Sequence, residues 1–395
     1  MDDRSRLQTP ADGSVGRRRF LTAAGLAVAG TALTAATGGQ ALAAGERRTT
    51  AGGPAAVGAA GYRVPLDTVP HTRTWMAWPD SSTIWRGKLS GVQSNIALIA
   101  KTIAKYEPVT LCANPASVAK ARSMCGSRVT VIGDIPVDDC WMRDTGPVFR
   151  TDGTGGLDTI GLGFNGWGNH QNPHGNDALV AQRAAAYLGV PFARAGLVAE
   201  GGAVETDGAG TLMATRSSII NPNRNPGMSQ AQIEAAMCAA FGASTVIWFP
   251  GIAGQDITDD HVDATSRFVG AGAAVVQKPL ASDTDVWAED ERQQYRALST
   301  ATSAQGTPFT VGQIQGPDYN LIRSTSPDFV GSYANYYLCN NAVISAQFGD
   351  TRADSAARAT LARLFPGRTV EQLDIDYLGA GGGGIHCVTQ QQPAV

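Results

Sequence analysis

The sequence predicts an α/β fold. Three observations carry that reading: short β-type runs alternate with helical patterns from Tyr62 onward, no composition break divides the chain, and 43% of its 395 residues are hydrophobic. That share supports a large core, and one domain over residues 61–395 is the simplest organisation.

The stretch before Tyr62 reads as something other than fold. "GRRRFLTAAGLAVAGTALTAATGGQALAAG" places Arg17 and Arg18 before Arg19, Phe20 and Leu21, then a weakly apolar run, then Ala41-Leu42-Ala43 as a cleavage site. This predicts a twin-arginine export signal over 1–43 and a flexible leader of small residues over 44–60. Threonine and small residues make the run a poor bilayer span. The mature chain is therefore expected to be extracellular or periplasmic, with no membrane attachment after cleavage.

"TRTWMAW" opens the fold as a strand. Val92, Ile96, Ile99, Ile103 and Tyr106 recur at steps of three and four, the apolar stripe of a helix. "PVTLC" and "RVTVI" read as strands on either side of a further helix. "ALVAQRAAAYLG" (helix), "TLMAT" (strand), "SQAQIEAAMCAAFG" (helix, capped at Ser229) and "STVIWF" (strand) continue the alternation. After "AAVVQ" come a polar helix near Ala288–Leu298, "FTVGQI", "NAVISAQF", the helix "DSAARATLARLF" and a last strand through "IHCVT".

Composition removes several functions. A net charge of −3 with 16% charged residues offers no nucleic-acid surface. The six cysteines lack C-x-x-C spacing, which disfavours zinc fingers and thioredoxin-like motifs. Export of folded cargo argues against a disulfide framework. "GLGFNG" matches G-x-G-x-x-G, but "WGNHQNPHG" follows it instead of a helix, so no dinucleotide site is expected. Neither G-x-S-x-G nor H-E-x-x-H occurs.

Four stretches concentrate residues that a core does not need: "DDCWMRDTGP", "EGGAVETDG", "DITDDHVD" and the terminal "GAGGGGIHCVTQQQPAV". An extended "HVD" would put His261 and Asp263 on one face. The same alternation would set His386 opposite Cys387, leaving His261, alone among carboxylates, as the best candidate base. His71, His170, His174 and His386 are expected in structural or loop roles. Any one cluster also reads as a surface loop, the Asp/His stretch as a divalent-metal site, and Cys387 as a small core residue. Their combination points to a cationic substrate, and a planar guanidinium suits paired carboxylates. The glycines before Cys387 would let such a flat group reach the strand. A metal-dependent hydrolase and a non-catalytic cation-binding protein remain the alternatives.

The motifs then converge. "TWMAWP", "YEPVTLC", "WMRDTGP", "FNGWGN", "EGGA", "NPNRNPGMSQAQIE", "DHVD", "SYANYYLCNNAVISAQFGD" and "GGIHCVTQQQPA" follow one another in order from about Tyr62 to Pro393. In these the chain resembles the agmatine deiminase family, which includes bacterial-type peptidyl-arginine deiminases. The resemblance implies a five-bladed α/β propeller of ββαβ units around a central site. It also implies Cys387 as nucleophile, His261 as general acid/base and Glu200 as its orienting partner. Asp144 and Asp263 would hold the guanidinium, with Trp141 packed near it. Gly384 departs from the asparagine many members carry before "IHC". The implied reaction is deimination through a covalent thiouronium. Its substrate would be agmatine, giving N-carbamoylputrescine, or alternatively peptidyl arginine, giving citrulline. No cofactor or metal is implied, and a homo-oligomer is compatible with the sequence.

Overall fold

The computed structural model describes residues 61–395; the expected export signal and leader lie outside the described residues. The α/β class is as expected, and its strands fall into five separate sheets. Four of these repeat one chain order: an antiparallel strand pair, a helix, and a third strand parallel to the second. The strands are Val148–Thr151, Leu157–Gly161 and Phe192–Arg194 in one sheet, and Val204–Thr206, Thr211–Thr215 and Thr245–Phe249 in the next. Ser266–Gly270, Ala273–Lys278 and Thr310–Gln315 form another, followed by Tyr337–Cys339, Ala342–Gln347 and Thr369–Asp374. A parallel neighbour needs a long crossover, and helices Val180–Leu188, Gln230–Phe241, Val286–Thr300 and Thr351–Leu364 supply it.

The remaining sheet joins the two ends of the described chain. Its order is Gln390–Pro393, His71–Ala77, Val109–Cys112, Val129–Ile132, with the first pair antiparallel and the others parallel. The terminal strand is thus clamped by the first one, and Trp75 Nε1 donates to Gln392 Oε1 at 3.1 Å across that pair. This fixes the chain immediately after Cys387.

The helices form for the reasons their sequences announce. Val92, Ile96, Ile99 and Ile103 are all fully buried along Leu89–Ile103. Tyr106 lies beyond that helix and donates its hydroxyl to Glu371. Gln230–Phe241 starts in a capping box between Ser229 and Gln232. Several strands escape periodicity because both faces are covered. Val148–Thr151 and Leu157–Gly161 are buried nearly throughout, and Arg150 and Asp158 face each other across them at 2.6–2.8 Å. A buried ion pair within a strand pair erases the apolar signal.

Two local expectations are corrected. "HVD" is not extended: Val262–Ala264 is a 3₁₀ turn that begins at His261. The last strand does not run through "IHCVT": His386–Val388 is a second 3₁₀ turn, and pairing starts at Gln390. All six cysteines are free, with Cys112, Cys125, Cys140 and Cys339 buried. No helix among the described residues is long and apolar enough to cross a membrane.

Candidate active site

A cavity of ≈ 600 Å³ gathers residues from three of the four sequence clusters and from loops between sheets. Cys387, Asp144, His261, Asp263 and Trp141 all line it, and Glu200 stands directly behind His261.

Cys387 is half-buried in the turn His386–Val388. Asn335 holds this turn: its Oδ1 accepts the His386 N–H at 3.0 Å, and its Nδ2 reaches Cys387 Sγ at 3.3 Å and the Asp263 carbonyl at 3.3 Å. The glycine run serves a packing role that the sequence reading did not foresee. A Cβ on Gly381 would lie 2.2 Å from Trp85, one on Gly383 2.2 Å from Trp141, and one on Gly384 2.4 Å from Asn335 Oδ1. The removed side chains make room for two indoles and an amide, which form the wall of the cavity. Gly384, the departure from the family pattern, thus sits directly against Asn335. Burial, then the charges of Asp263 and Asp144, push the Cys387 thiol well above the usual range.

His261 is positioned by backbone and carboxylates together. Asp259 and Asp260 precede it at φ 59° and 74°, a left-handed pair that non-glycine residues seldom adopt. Asp259 is held by Arg224 Nη1 at 2.7 Å and by the Gly254 N–H at 2.8 Å, which keeps this bend in place. Glu200 Oε2 lies 3.2 Å from His261 Nε2, while its Oε1 accepts Arg224 Nε at 3.0 Å. His261 and Arg224 outweigh the burial of Glu200 and keep it ionised. Asp144 Oδ1 lies 3.8 Å from His261 Nδ1. Burial lowers the His261 pKa, but Asp144, Glu200 and Asp263 overcome it and raise it to about 9. The imidazole is therefore charged at neutral pH.

Asp144 accepts from Trp167 Nε1 and from the Gly202 N–H, both at 2.9 Å. A Cβ on Gly202 would lie 2.8 Å from His261 and 2.9 Å from Asp144, which explains the bare backbone in "EGGA". Burial raises the Asp144 pKa to about 6, helped by Asp263 and Glu200 against His261. Asp263 Oδ2 meets His386 Nδ1 at 2.7 Å, and its Oδ1 is buried without a partner. His261 and Asp263 do share the cavity, although the turn and not strand alternation brings them there. Trp141 donates its Nε1 to Asp139 at 2.8 Å, and Trp85 donates to the other oxygen at 2.7 Å. Among the described residues no three His, Cys, Asp or Glu side chains are disposed to hold a metal ion.

Sequence reasoning missed Asn335, Trp85, Arg224 and Trp167. A lone amide in the buried run "SYANYYLC" was a legible signal, because an unpaired buried amide is costly.

An acidic, tryptophan-walled cavity with a thiol and a charged histidine on an α/β scaffold belongs to enzymes that hydrolyse a guanidino C–N bond. The chain belongs to the Porphyromonas-type peptidyl-arginine deiminase family, whose profile matches residues 63–393. It is 38% identical over 343 residues to a Streptomyces coelicolor protein provisionally named an agmatine deiminase, covering 84% of this chain and 99% of the relative. Agmatine deiminase of Pseudomonas aeruginosa is 34% identical over 368 residues, covering 85% and 96%. Among solved structures, agmatine deiminase of Enterococcus faecalis is similar at a TM-score of 0.79 and 27% identity, covering 85% of this chain and 96% of its own.

Proposed function

We propose that this chain deiminates agmatine to N-carbamoylputrescine and ammonia through a thiouronium on Cys387. One observation carries the reading: a free thiol, a charged histidine and a buried carboxylate oxygen with no partner meet in one cavity. Asp144 and Asp263 hold the guanidinium nitrogens, and Trp141 and Trp85 flank its flat face. The arriving cation neutralises the two carboxylates that oppose thiol ionisation, so binding itself favours the thiolate, the thiol proton leaving to solvent. The sulfur attacks the guanidinium carbon and His261 gives its proton to the departing nitrogen, releasing ammonia. His261, now neutral, takes a proton from water. The resulting hydroxide attacks the thiouronium carbon, the C–S bond breaks, and the ureido product leaves with His261 protonated again. The last proton goes to ammonia, giving ammonium.

The agmatine assignment draws on relatives of that name and on the acids Asp256 and Asp328 at the cavity, where Asp328 Oδ1 is buried without a partner. A second reading has support of its own. Arg86 and Lys88 stand on the same rim and would favour a carboxylate-bearing substrate such as an arginyl peptide. Export by the twin-arginine pathway, a single catalytic domain over 61–395 and a five-bladed arrangement of the five sheets belong to this proposal. The test is ammonia release from agmatine, free arginine and a peptide with C-terminal arginine, with and without chelator. We expect agmatine to lead, chelator to change nothing, and Cys387→Ser to bind without turnover. Preference for the peptide would replace the substrate and keep the chemistry. Turnover by Cys387→Ser would end both.

A further inference from the structure

His386 is expected from sequence in a structural or loop role, and it does not line the cavity. Yet it is 1% exposed, and its ring sits where Asp263 and Cys387 meet. Its Nδ1 lies 2.7 Å from Asp263 Oδ2, and that same oxygen lies 3.8 Å from Cys387 Sγ. The other oxygen, Oδ1, has no partner. We propose that His386 is the positioning residue of this site: its Nδ1–H fixes Asp263 so that one carboxylate oxygen is kept for the substrate and the other is drawn away from the thiol.

The proton assignment follows from the partners. Burial raises the Asp263 pKa, but His386, His261 and Arg267 outweigh it and hold the acid ionised. An ionised carboxylate only accepts, so the proton of this contact belongs to Nδ1. On its far side, Nε2 lies 3.5 Å from Asp67 Oδ2 and 4.0 Å from Glu205 Oε1. Arg267 binds those two acids at 2.8 Å and 2.7 Å. Arg143 closes the ring of charges, with its Nε 3.5 Å from the His386 carbonyl. Burial, then Arg143 and Arg267, lower the imidazole's pKa against the hydrogen bonds of Asp263 and Asp67, and the contact with Asp263 is made through Nδ1.

Two consequences follow for the reaction. A carboxylate with one oxygen pinned cannot rotate, which leaves Oδ1 fixed toward the substrate. An Oδ2 that accepts from Nδ1 also accepts less from the sulfur, and so opposes thiolate formation less. Asn335 makes the arrangement rigid, because it ties the His386 N–H, the Asp263 carbonyl and the sulfur to one amide.

The role rests on Cys387 being the nucleophile, and the test separates the two. An asparagine amide nitrogen falls near the Nδ1 position and a glutamine amide nitrogen near Nε2. His386→Asn should therefore keep the contact with Asp263, and His386→Gln should lose it. Each variant is read for melting, for kcat and KM, and for the pH dependence of Cys387 alkylation by iodoacetamide without substrate. We expect His386→Gln to lose roughly 10- to 100-fold in kcat/KM, with a raised KM. Its alkylation midpoint should rise by roughly one pH unit. His386→Asn should stay within about fivefold of wild type, with an unmoved midpoint, since its hydrogen bond survives. Wild-type behaviour of His386→Gln, or equal loss in both variants, overturns the proposal. If His386→Gln does not fold, a folded but equally inactive His386→Asn overturns it alone. A wild type that releases no ammonia refutes the deiminase reading instead, and alkylation then judges the positioning role.

Discussion

Replacing Gly383 by alanine tests why the chain carries no side chains ahead of Cys387. Gly383 does not adopt a left-handed backbone, so only space bars an alanine there. The added Cβ would lie 2.2 Å from Trp141 Cζ3 and 2.7 Å from Cη2. Carbon atoms prefer roughly 3.5–4.0 Å, so the loop or the indole must retreat by more than about 1 Å. The indole is poorly placed to yield. Its Nε1 is held by Asp139, which is buried and also holds Trp85. Overpacking of this kind costs about 1–3 kcal/mol of stability. The larger effect should be on rate, because Cys387 follows four residues later and a shift of about 1 Å at a reacting group costs on the order of 100-fold. Gly87→Ala is the control: Gly87 lines the same cavity, and a Cβ there meets nothing within 4 Å. Ammonia release should show Gly383→Ala at least tenfold below wild type in kcat/KM, with a lower Tm, and Gly87→Ala near wild type, as overpacking predicts. Wild-type kinetics for Gly383→Ala, or equal losses in both, would refute the packing explanation of the glycine run.

Other perturbations separate the charged groups. Asp144 must be ionised to hold a guanidinium and its pKa is raised to about 6 by burial, so activity should be lost as pH falls through 6. Below that point kcat/KM should drop about tenfold per pH unit, and a profile flat to pH 5 would count against Asp144 as a substrate ligand. His261, raised to about 9, should keep its proton through neutral pH and set no basic limb below that value. Asp144→Asn and Asp263→Asn should each weaken substrate binding by roughly tenfold or more in calorimetry, as loss of a charged hydrogen bond does. His261→Asn should bind nearly as wild type and turn nothing over. Equal affinity loss in all three would make His261 a binding residue.

The residues that gather in this cavity were legible in the sequence because their types are expensive to use anywhere else. Cys387 after five glycines in six positions, His261 among carboxylates, and Asp144 beside Trp141 each stood out locally. The helices were legible too, since a stripe such as Val92, Ile96, Ile99 and Ile103 reports burial at a helical period. What sequence could not supply was the far partner of each buried polar atom. Asp144 is held by Gly202, 58 positions on; Glu200 by Arg224; and the Cys387 turn by Asn335, 52 positions before it. Periodicity describes only neighbours along the chain, whereas these bonds form because separate sheets deliver loops to one cavity. His386 shows the difference most sharply. Strand alternation would have turned it away from Cys387, but the chain there is a 3₁₀ turn, and a 2.7 Å hydrogen bond draws the ring onto Asp263. Tertiary structure decided that contact because a buried, ionised carboxylate must find a donor wherever the fold brings one within reach.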